Sequence, residues 1–183
     1  MLEAAGVAFG ARSAGVDEDA AKAAMLADGL GSRDLADALA ELKATKLSQR
    51  HPDALVLGCD QVASLDGDIF DKPEAREAVR DQLRAMRGRT HHQSSAAVIC
   101  EDGRPVWRHV DVAKLVMRDF SDAFLDAYLD AEWPAFAGCA GGYRLEGRGA
   151  QLFARIDGSH FTILGMPLLP LLDYLRVRGV LSA

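Results

Sequence analysis

The stretch LVLGCDQVASLDGDIFDKP, Leu55 to Pro73, decides the fold of this chain. Its first three residues, Leu55-Val56-Leu57, form the kind of short apolar run that predicts a buried strand. Asp60 follows two small residues, and the pattern places it where this strand ends. A carboxylate in that position is costly to desolvate without a partner. Asp60 therefore has either a functional role or a structural one, as a helix cap or the partner of a lysine.

Composition narrows the class of protein. The 183 residues can form one domain with a sizeable core. The net charge of −6 and the lack of a basic tract argue against nucleic-acid binding. No apolar run approaches the ~18 residues of a membrane span, and no signal peptide is visible. Three widely spaced cysteines give no zinc or disulfide pattern, which favours a reducing, cytoplasmic location; they are Cys59, Cys100 and Cys139.

A helix is predicted upstream of the opening stretch, over residues 32–51. Its apolar residues recur at helical spacing and form one stripe; they are Leu35, Ala38, Leu39 and Leu42. Lys43 and Lys46 border that stripe. Each lysine can extend its amine to solvent, or one of them can reach Asp60.

Two further segments carry charge. Pro73 suits the first position of a helix, which places Lys72 just before a helix N-terminus, where backbone donors and a lysine both favour an anion. Glu18 lies in the acidic, turn-like segment 13–19. This segment either holds a cation or is a solvated loop.

The remaining pattern predicts an α/β protein with a mixed sheet. The adjacent His91 and His92 would point to opposite faces of a strand, so we interpret them as surface or hydrogen-bonding residues rather than chelators of one ion. Strands are expected at 91–100, 105–117, 151–156 and 161–164. Helices are expected after Pro73, from Ser121 to Trp133 and over 167–178. Residues 1–9 are expected to contain the end of a helix and the start of a strand. An acid and lysines from two helices would suit a phosphorylated ligand bound through a metal.

Several motifs together resemble the Maf family of nucleoside triphosphate pyrophosphatases: GCDQV, DKP, AELKA, CAGGYRLEG and ILGMPLLPLL. The resemblance covers nearly the whole chain, 1–183, as a single domain. It implies an elongated mixed sheet flanked by helices, with two lobes around a cleft, in a cytoplasmic homodimer. It also implies hydrolysis of a nucleoside triphosphate to the monophosphate and pyrophosphate, with Mg²⁺ or Mn²⁺ as cofactor.

The same resemblance assigns roles to individual residues. Asp60 matches the general base, which also engages the metal, and Glu18 matches an acid that binds the cation. Lys43, rather than Lys46, and Lys72 match phosphate-binding lysines.

Two positions match those that sort substrates in the family. Gln61, in the DQ pair, and Glu146, in the EG pair, resemble the subgroup that acts on 7-methyl-GTP. The subgroup for dTTP and UTP more often has DT and QG. The resemblance therefore favours 7-methyl-GTP.

The start of the chain departs from the family pattern. Met1-Leu2 aligns with the end of the family's first helix, so a strand, an SxSPRR-like loop and its phosphate-binding arginine are missing, and Arg12 comes too late to replace that arginine. Either Met1 is an internal methionine or the segment has been lost. The chain as written is expected to be less stable and less active than a longer version. A catalytically impaired, nucleotide-binding regulator linked to septum formation is the alternative function.

Overall fold

The computed structural model describes residues 1–182 and has the predicted α/β architecture, with helices flanking a five-stranded sheet. The helices are α1 (Glu18–Ala27), α2 (Ser32–Ser48), α3 (Arg76–Met86), α4 (Asp122–Glu132), α5 (His160–Ile163) and α6 (Leu168–Val177). The strands are β1 (Val56–Leu65), β2 (Asp68–Phe70), β3 (Thr90–Glu101), β4 (Arg104–Met117) and β5 (Phe153–Asp157). Short 3₁₀ turns occur at Glu3–Ala5 and Arg148–Leu152.

The strands lie in the order β2-β1-β3-β4-β5. The outer pairs, β1 with β2 and β4 with β5, are antiparallel. The predicted hairpin is present as β3 and β4. Its two-residue turn has positive φ at Asp102 (50°) and Gly103 (72°), the conformation that matches the twist of hairpin strands.

The chain forms two compact units. The first comprises residues 1–61, 94–112 and 159–182, and the second comprises Val62–Gln93 and Ala113–Gly158. The first unit contains α1, α2, α5 and α6, and the second contains α3, α4, β2 and β5.

In the first unit, α2 lies with its backbone directly against β1. A Cβ atom on Gly58 would be 2.2 Å from the carbonyl oxygen of Ala40 and 2.8 Å from the amide nitrogen of Ala44. Only glycine permits so close an approach. Because alternate residues of a strand point to the same side, Asp60 also faces α2, and the close packing brings Lys43 within its reach.

In the second unit, a ladder of ion pairs joins α3 to α4. Arg80 Nε donates to Asp126 Oδ1 at 2.7 Å, and Arg87 Nη1 donates to Asp122 Oδ1 at 2.8 Å. Two further pairs are Arg84 with Asp122 and Arg76 with Asp130. The hydrogen bonds from Arg84 and Arg87 outweigh desolvation and lower the pKa of Asp122 to about 2. Arg76, Arg80 and Arg84 recur every four residues and form one edge of α3, and Arg87 is its C-cap.

His91 is a fully buried polar residue of the second unit, and of the two predicted roles, surface or hydrogen-bonding, it has the second. Its Nε2 lies 2.7 Å from the hydroxyl of Tyr143, which also accepts a hydrogen bond from the amide of Gln93 at 3.1 Å. Nε2 and the hydroxyl form one hydrogen bond, whose donor depends on which ring nitrogen of His91 carries the proton. Among residues 1–182, Nδ1 has no hydrogen-bond partner.

This burial predicts that the protein loses stability in mild acid. Desolvation, aided by His92, lowers the pKa of His91 from 6.5 to about 4. Between these two values the unfolded chain binds a proton at His91 that the folded chain excludes. The contribution of neutral His91 to the free energy of unfolding is therefore complete above pH 6.5 and declines as the pH falls toward 4. The decline amounts to about 3 kcal/mol, at about 1.4 kcal/mol per pKa unit.

Urea unfolding at a series of pH values measures this effect. His91→Gln should be less stable at neutral pH, but its free energy of unfolding should fall less steeply between pH 6.5 and pH 4. His51→Gln, which alters an exposed histidine, should retain the wild-type slope. Equal slopes for wild type and His91→Gln would contradict the assignment.

Three predicted elements differ in the structure. Residues 161–164 were predicted as a strand, but residues 161–163 belong to α5 and Leu164 is its C-cap, because so short a run does not distinguish strand from helix by periodicity. The side chain of Gln61 donates to the carbonyls of Thr162 and Ile163, which anchors this short helix. Residues 7–10 form no strand, whereas the predicted helix end just before them is present, with Gly6 in the left-handed conformation at its end.

The third difference concerns Pro73, which does not begin a helix. Helix α3 starts at Arg76. The proline ring is buried instead, and a Cβ on Gly142 would lie 3.8 Å from it, so Pro73 packs on the glycine-rich segment. Lys72 is therefore exposed in an irregular segment four residues before α3, rather than directly at its N-terminus.

Candidate active site

Asp60 lies in the middle of β1, not at a strand end as predicted. It is the fifth residue of the ten from Val56 to Leu65. The strand continues through polar residues because their side chains have partners on neighbouring elements. Asp60 bonds to Lys43 of α2, and Gln61 bonds to Ser95 of β3 and to α5.

Lys43 connects two carboxylates that are far apart in sequence. Its Nζ lies 2.6 Å from Asp60 Oδ1 and 2.9 Å from Glu18 Oε2. The side chains are 10% exposed for Asp60, 19% for Lys43 and 47% for Glu18. The cluster therefore runs from a buried carboxylate to one that solvent and ligands can reach.

The carboxylates hold Lys43 in its charged form. Burial alone would lower the pKa of Lys43, but the hydrogen bonds that Lys43 donates to Asp60 and Glu18 outweigh it and raise the pKa above the ordinary value. Lys43 is thus a cation at any physiological pH. It supplies a fixed positive charge beside Asp60.

Glu18 reaches Lys43 from the first residue of α1, a helix that was not predicted. Asp17 caps this helix by accepting a hydrogen bond from the amide of Ala20 at 3.0 Å. Lys46, the lysine that does not reach Asp60, donates to the carbonyl of Gly15. The loop that leads into Glu18 is thereby attached to the same helix that carries Lys43.

A cavity of about 280 Å³ adjoins this cluster within the first unit. Its walls include Glu18, Lys43, Arg12 and Cys59. Burial raises the pKa of the Cys59 thiol to about 12, against the opposing effect of Lys43. Because only the thiolate is a nucleophile, Cys59 does not act as one at neutral pH, and the chemistry here belongs to the carboxylates and the amine.

Gln61 has a fixed orientation. Its amide nitrogen donates to the carbonyl oxygens of Thr162 (2.9 Å) and Ile163 (2.8 Å) and to Ser95 Oγ (3.1 Å). Backbone carbonyls can only accept, so nitrogen rather than oxygen must face them. Within residues 1–182 nothing donates to Oε1 of Gln61, which leaves this side chain able to act toward a ligand only as an acceptor.

The two remaining predicted residues lie together in the second unit. Lys72 and Glu146 are both exposed, and both act on the thiol of Cys139. Burial raises the pKa of Cys139, Glu146 raises it further and Lys72 lowers it. The predicted site residues thus form two groups, with Glu18, Lys43, Asp60 and Gln61 in the first unit and Lys72 and Glu146 in the second.

The carboxylates of the first group fit a divalent cation that arrives with a phosphate ligand. Mg²⁺ is usually held by one or two carboxylates, with phosphate oxygens and waters completing its shell. Glu18 and Asp60, which both bond to Lys43 Nζ, are the two carboxylates of this group that would supply such ligands. Among residues 1–182, no cluster of three or more His, Cys, Asp or Glu side chains is placed to hold a metal.

Sequence reasoning missed two contributors to this site. Helix α1 has a capping aspartate at Asp17 and an alanine-rich sequence, a start signal that would have predicted it. Arg12 was set aside because of its position in the chain, yet it lines the cavity. No local sequence pattern indicates that Arg12 lines the cavity, because the loop after Arg12 is positioned by side chains of α2, which is distant in sequence.

Comparison with known proteins gives a consistent result. A family model described as Maf-like protein matches residues 1–178. A protein of Caulobacter vibrioides named nucleoside triphosphate pyrophosphatase is 51% identical over 182 residues, 100% of this chain and 91% of that one. Proteins with the same name are 49% identical in Ruegeria pomeroyi (100% and 92% covered) and 51% identical in Paramagnetospirillum magneticum (99% and 93% covered). Within residues 1–182, no helix has both the length and the apolar character needed to cross a bilayer.

Proposed function

Because this chain belongs to the Maf family, we propose that it hydrolyses a nucleoside triphosphate to the nucleoside monophosphate and pyrophosphate. One observation carries the proposal: Lys43 is held between Asp60 and Glu18 on the wall of a cavity. An amine and two carboxylates at one point are the groups that cleavage of a phosphoric anhydride requires.

Asp60 is the proposed general base. Hydrolysis to a monophosphate needs water to attack the α-phosphorus in line with the departing pyrophosphate, and a carboxylate within hydrogen-bond reach takes the water's proton. Asp60 is only 10% exposed and is fixed by Lys43 at 2.6 Å. A carboxylate with so little freedom can hold water in one orientation.

The lysines stabilise the leaving group in this scheme. Lys43 remains protonated and faces the cavity, so it can bind phosphate oxygens as charge develops on them. Lys72 is exposed in the second unit, and the family resemblance gives it the same role. A divalent cation, Mg²⁺ or Mn²⁺, held by Glu18 and Asp60 would neutralise phosphate charge and acidify water.

Substrate choice is proposed to depend on Gln61 and Glu146. The amide nitrogen of Gln61 is occupied by three acceptors, so Gln61 can offer a base only an acceptor, which suits the N–H groups of a guanine. Because the N3–H of thymine and uracil also suits an acceptor, the proposed preference for 7-methyl-GTP over dTTP and UTP rests on the family resemblance. A cytoplasmic homodimer remains a prediction as well.

Pyrophosphate release from a panel of nucleotides tests the proposed activity. The panel contains 7-methyl-GTP, GTP, dTTP and UTP, each with Mg²⁺, with Mn²⁺ and with a chelator. We expect release with either metal and its loss with the chelator. Nucleotide binding without release from any substrate would favour the alternative, a regulatory nucleotide-binding protein.

Exchanging both sorting residues should change the preferred base. In the double variant Gln61→Thr, Glu146→Gln, we expect the ratio of kcat/KM for 7-methyl-GTP to kcat/KM for dTTP to fall by about tenfold or more, the scale of one altered hydrogen bond. Gln49→Thr changes an exposed glutamine outside the site and should leave the ratio unaltered. An unchanged ratio in the double variant would remove both residues from substrate sorting.

A further inference from the structure

The cavity beside Lys43 has a second cationic wall. Arg12 lines it together with Glu18 and Lys43. The charge of Lys43 is matched by two carboxylates. By contrast, the guanidinium of Arg12 donates only to the carbonyl of the adjacent Ala11, at 2.9 Å, and no carboxylate within residues 1–182 pairs with it. Arg12 is therefore the cavity cation whose charge is available to an anion.

The loop that follows Arg12 is fixed to α2 rather than loose. Lys46 donates to the carbonyl of Gly15, and Arg50 Nη1 donates to the carbonyl of Ala14 at 3.4 Å. The amide of Gly15 in turn donates to Ser13 Oγ at 3.2 Å. Since α2 also carries Lys43, the same helix positions both cationic walls of the cavity.

We propose that Arg12 contacts the phosphate chain of the substrate, as a binding residue additional to Lys43 and Lys72. The inference rests on the proposed function and deepens it, because it assigns to this cavity the triphosphate rather than the base. Arginine is suited to the task, since its planar group can donate two parallel hydrogen bonds to a phosphate. Arg12 thus supplies the cavity wall with a guanidinium that no carboxylate within residues 1–182 pairs with, the group that a phosphate oxygen can bind.

Binding of inorganic tripolyphosphate, measured calorimetrically with Mg²⁺, tests this contact without requiring turnover. For Arg12→Ala we expect a dissociation constant about 10- to 100-fold higher, the scale of charged hydrogen bonds, and for Arg12→Lys a smaller increase. Arg33→Ala serves as the matched control, because Arg33 is an exposed arginine that pairs with Asp34 at 3.5 Å and does not line the cavity. It should bind as wild type does.

Nucleotide kinetics on the same variants separate this inference from the proposed function. If Arg12 contacts phosphate, Arg12→Ala should raise KM more than it lowers kcat. Arginine-dependent tripolyphosphate binding without nucleotide hydrolysis would support the contact while refuting the proposed activity. If Arg12→Ala hydrolyses nucleotide with wild-type KM and binds tripolyphosphate as wild type does, the contact is overturned and the activity stands. Failure of the wild-type protein to bind tripolyphosphate would also overturn the contact.

Discussion

Replacing Asp60 by asparagine should lower kcat for pyrophosphate release by about 10²- to 10⁴-fold, the usual contribution of a positioned general base. The amide has nearly the shape of the carboxylate but cannot accept the proton of the attacking water. The fold should survive, because Lys43 keeps Glu18 as a partner at 2.9 Å. Initial rates with the best substrate of the panel, together with a urea unfolding curve, measure both parts of this expectation.

The matched control is Asp53→Asn, an exposed acid in the segment before β1. It should leave both turnover and stability near wild type. Wild-type turnover in Asp60→Asn would exclude Asp60 as the base. If the loss of turnover were accompanied by unfolding, Asp60→Glu would decide, because it restores the charge and would recover stability without restoring the geometry of proton transfer.

Gly58→Ala should have the largest effect on stability of any single change proposed for this chain. The added methyl group would lie 2.2 Å from the Ala40 carbonyl oxygen and 2.8 Å from the Ala44 amide, both of them backbone atoms of α2. Neither can move aside as a flexible side chain would, so the helix must move away from β1. Overpacking of this kind costs about 3 kcal/mol or more, at the upper end of its range.

Denaturant unfolding measures that loss, and Gly10→Ala provides the comparison. Gly10 has no heavy atom within 4 Å of its would-be Cβ, so that variant should match wild type within about 0.5 kcal/mol. Gly58→Ala should also weaken turnover where it is still folded, since displacement of α2 separates Lys43 from Asp60. Equal stability of the two alanine variants would mean that α2 does not depend on Gly58 for its position.

The sequence predicted those parts of the fold that depend on local pattern. The hairpin of β3 and β4, helix α2 and the helix capped by Ser121 all follow from periodicity, turn residues and caps. Ser121 accepts the amide of Phe124 at 3.1 Å, as a capping residue should. The α/β class followed from the order of these elements.

The rest depends on contacts that no local pattern records. Asp60 was expected at a strand end because an acid disfavours a buried strand, but Lys43 lies 2.6 Å away and removes that penalty. Likewise the apolar run of α5 is helical because Gln61 of β1 holds the carbonyls of Thr162 and Ile163. For the site itself, spacing identified an acid with lysines near it, whereas the pairing of Lys43 with both Glu18 and Asp60 emerged only in three dimensions.

Hydrolysis in ¹⁸O-labelled water tests the central claim most directly. If Asp60 directs water onto the α-phosphorus, mass spectrometry will find the label in the nucleoside monophosphate and none in the pyrophosphate. Label in the pyrophosphate, which would place the attack on the β-phosphorus, or the absence of hydrolysis with every nucleotide of the panel would contradict it.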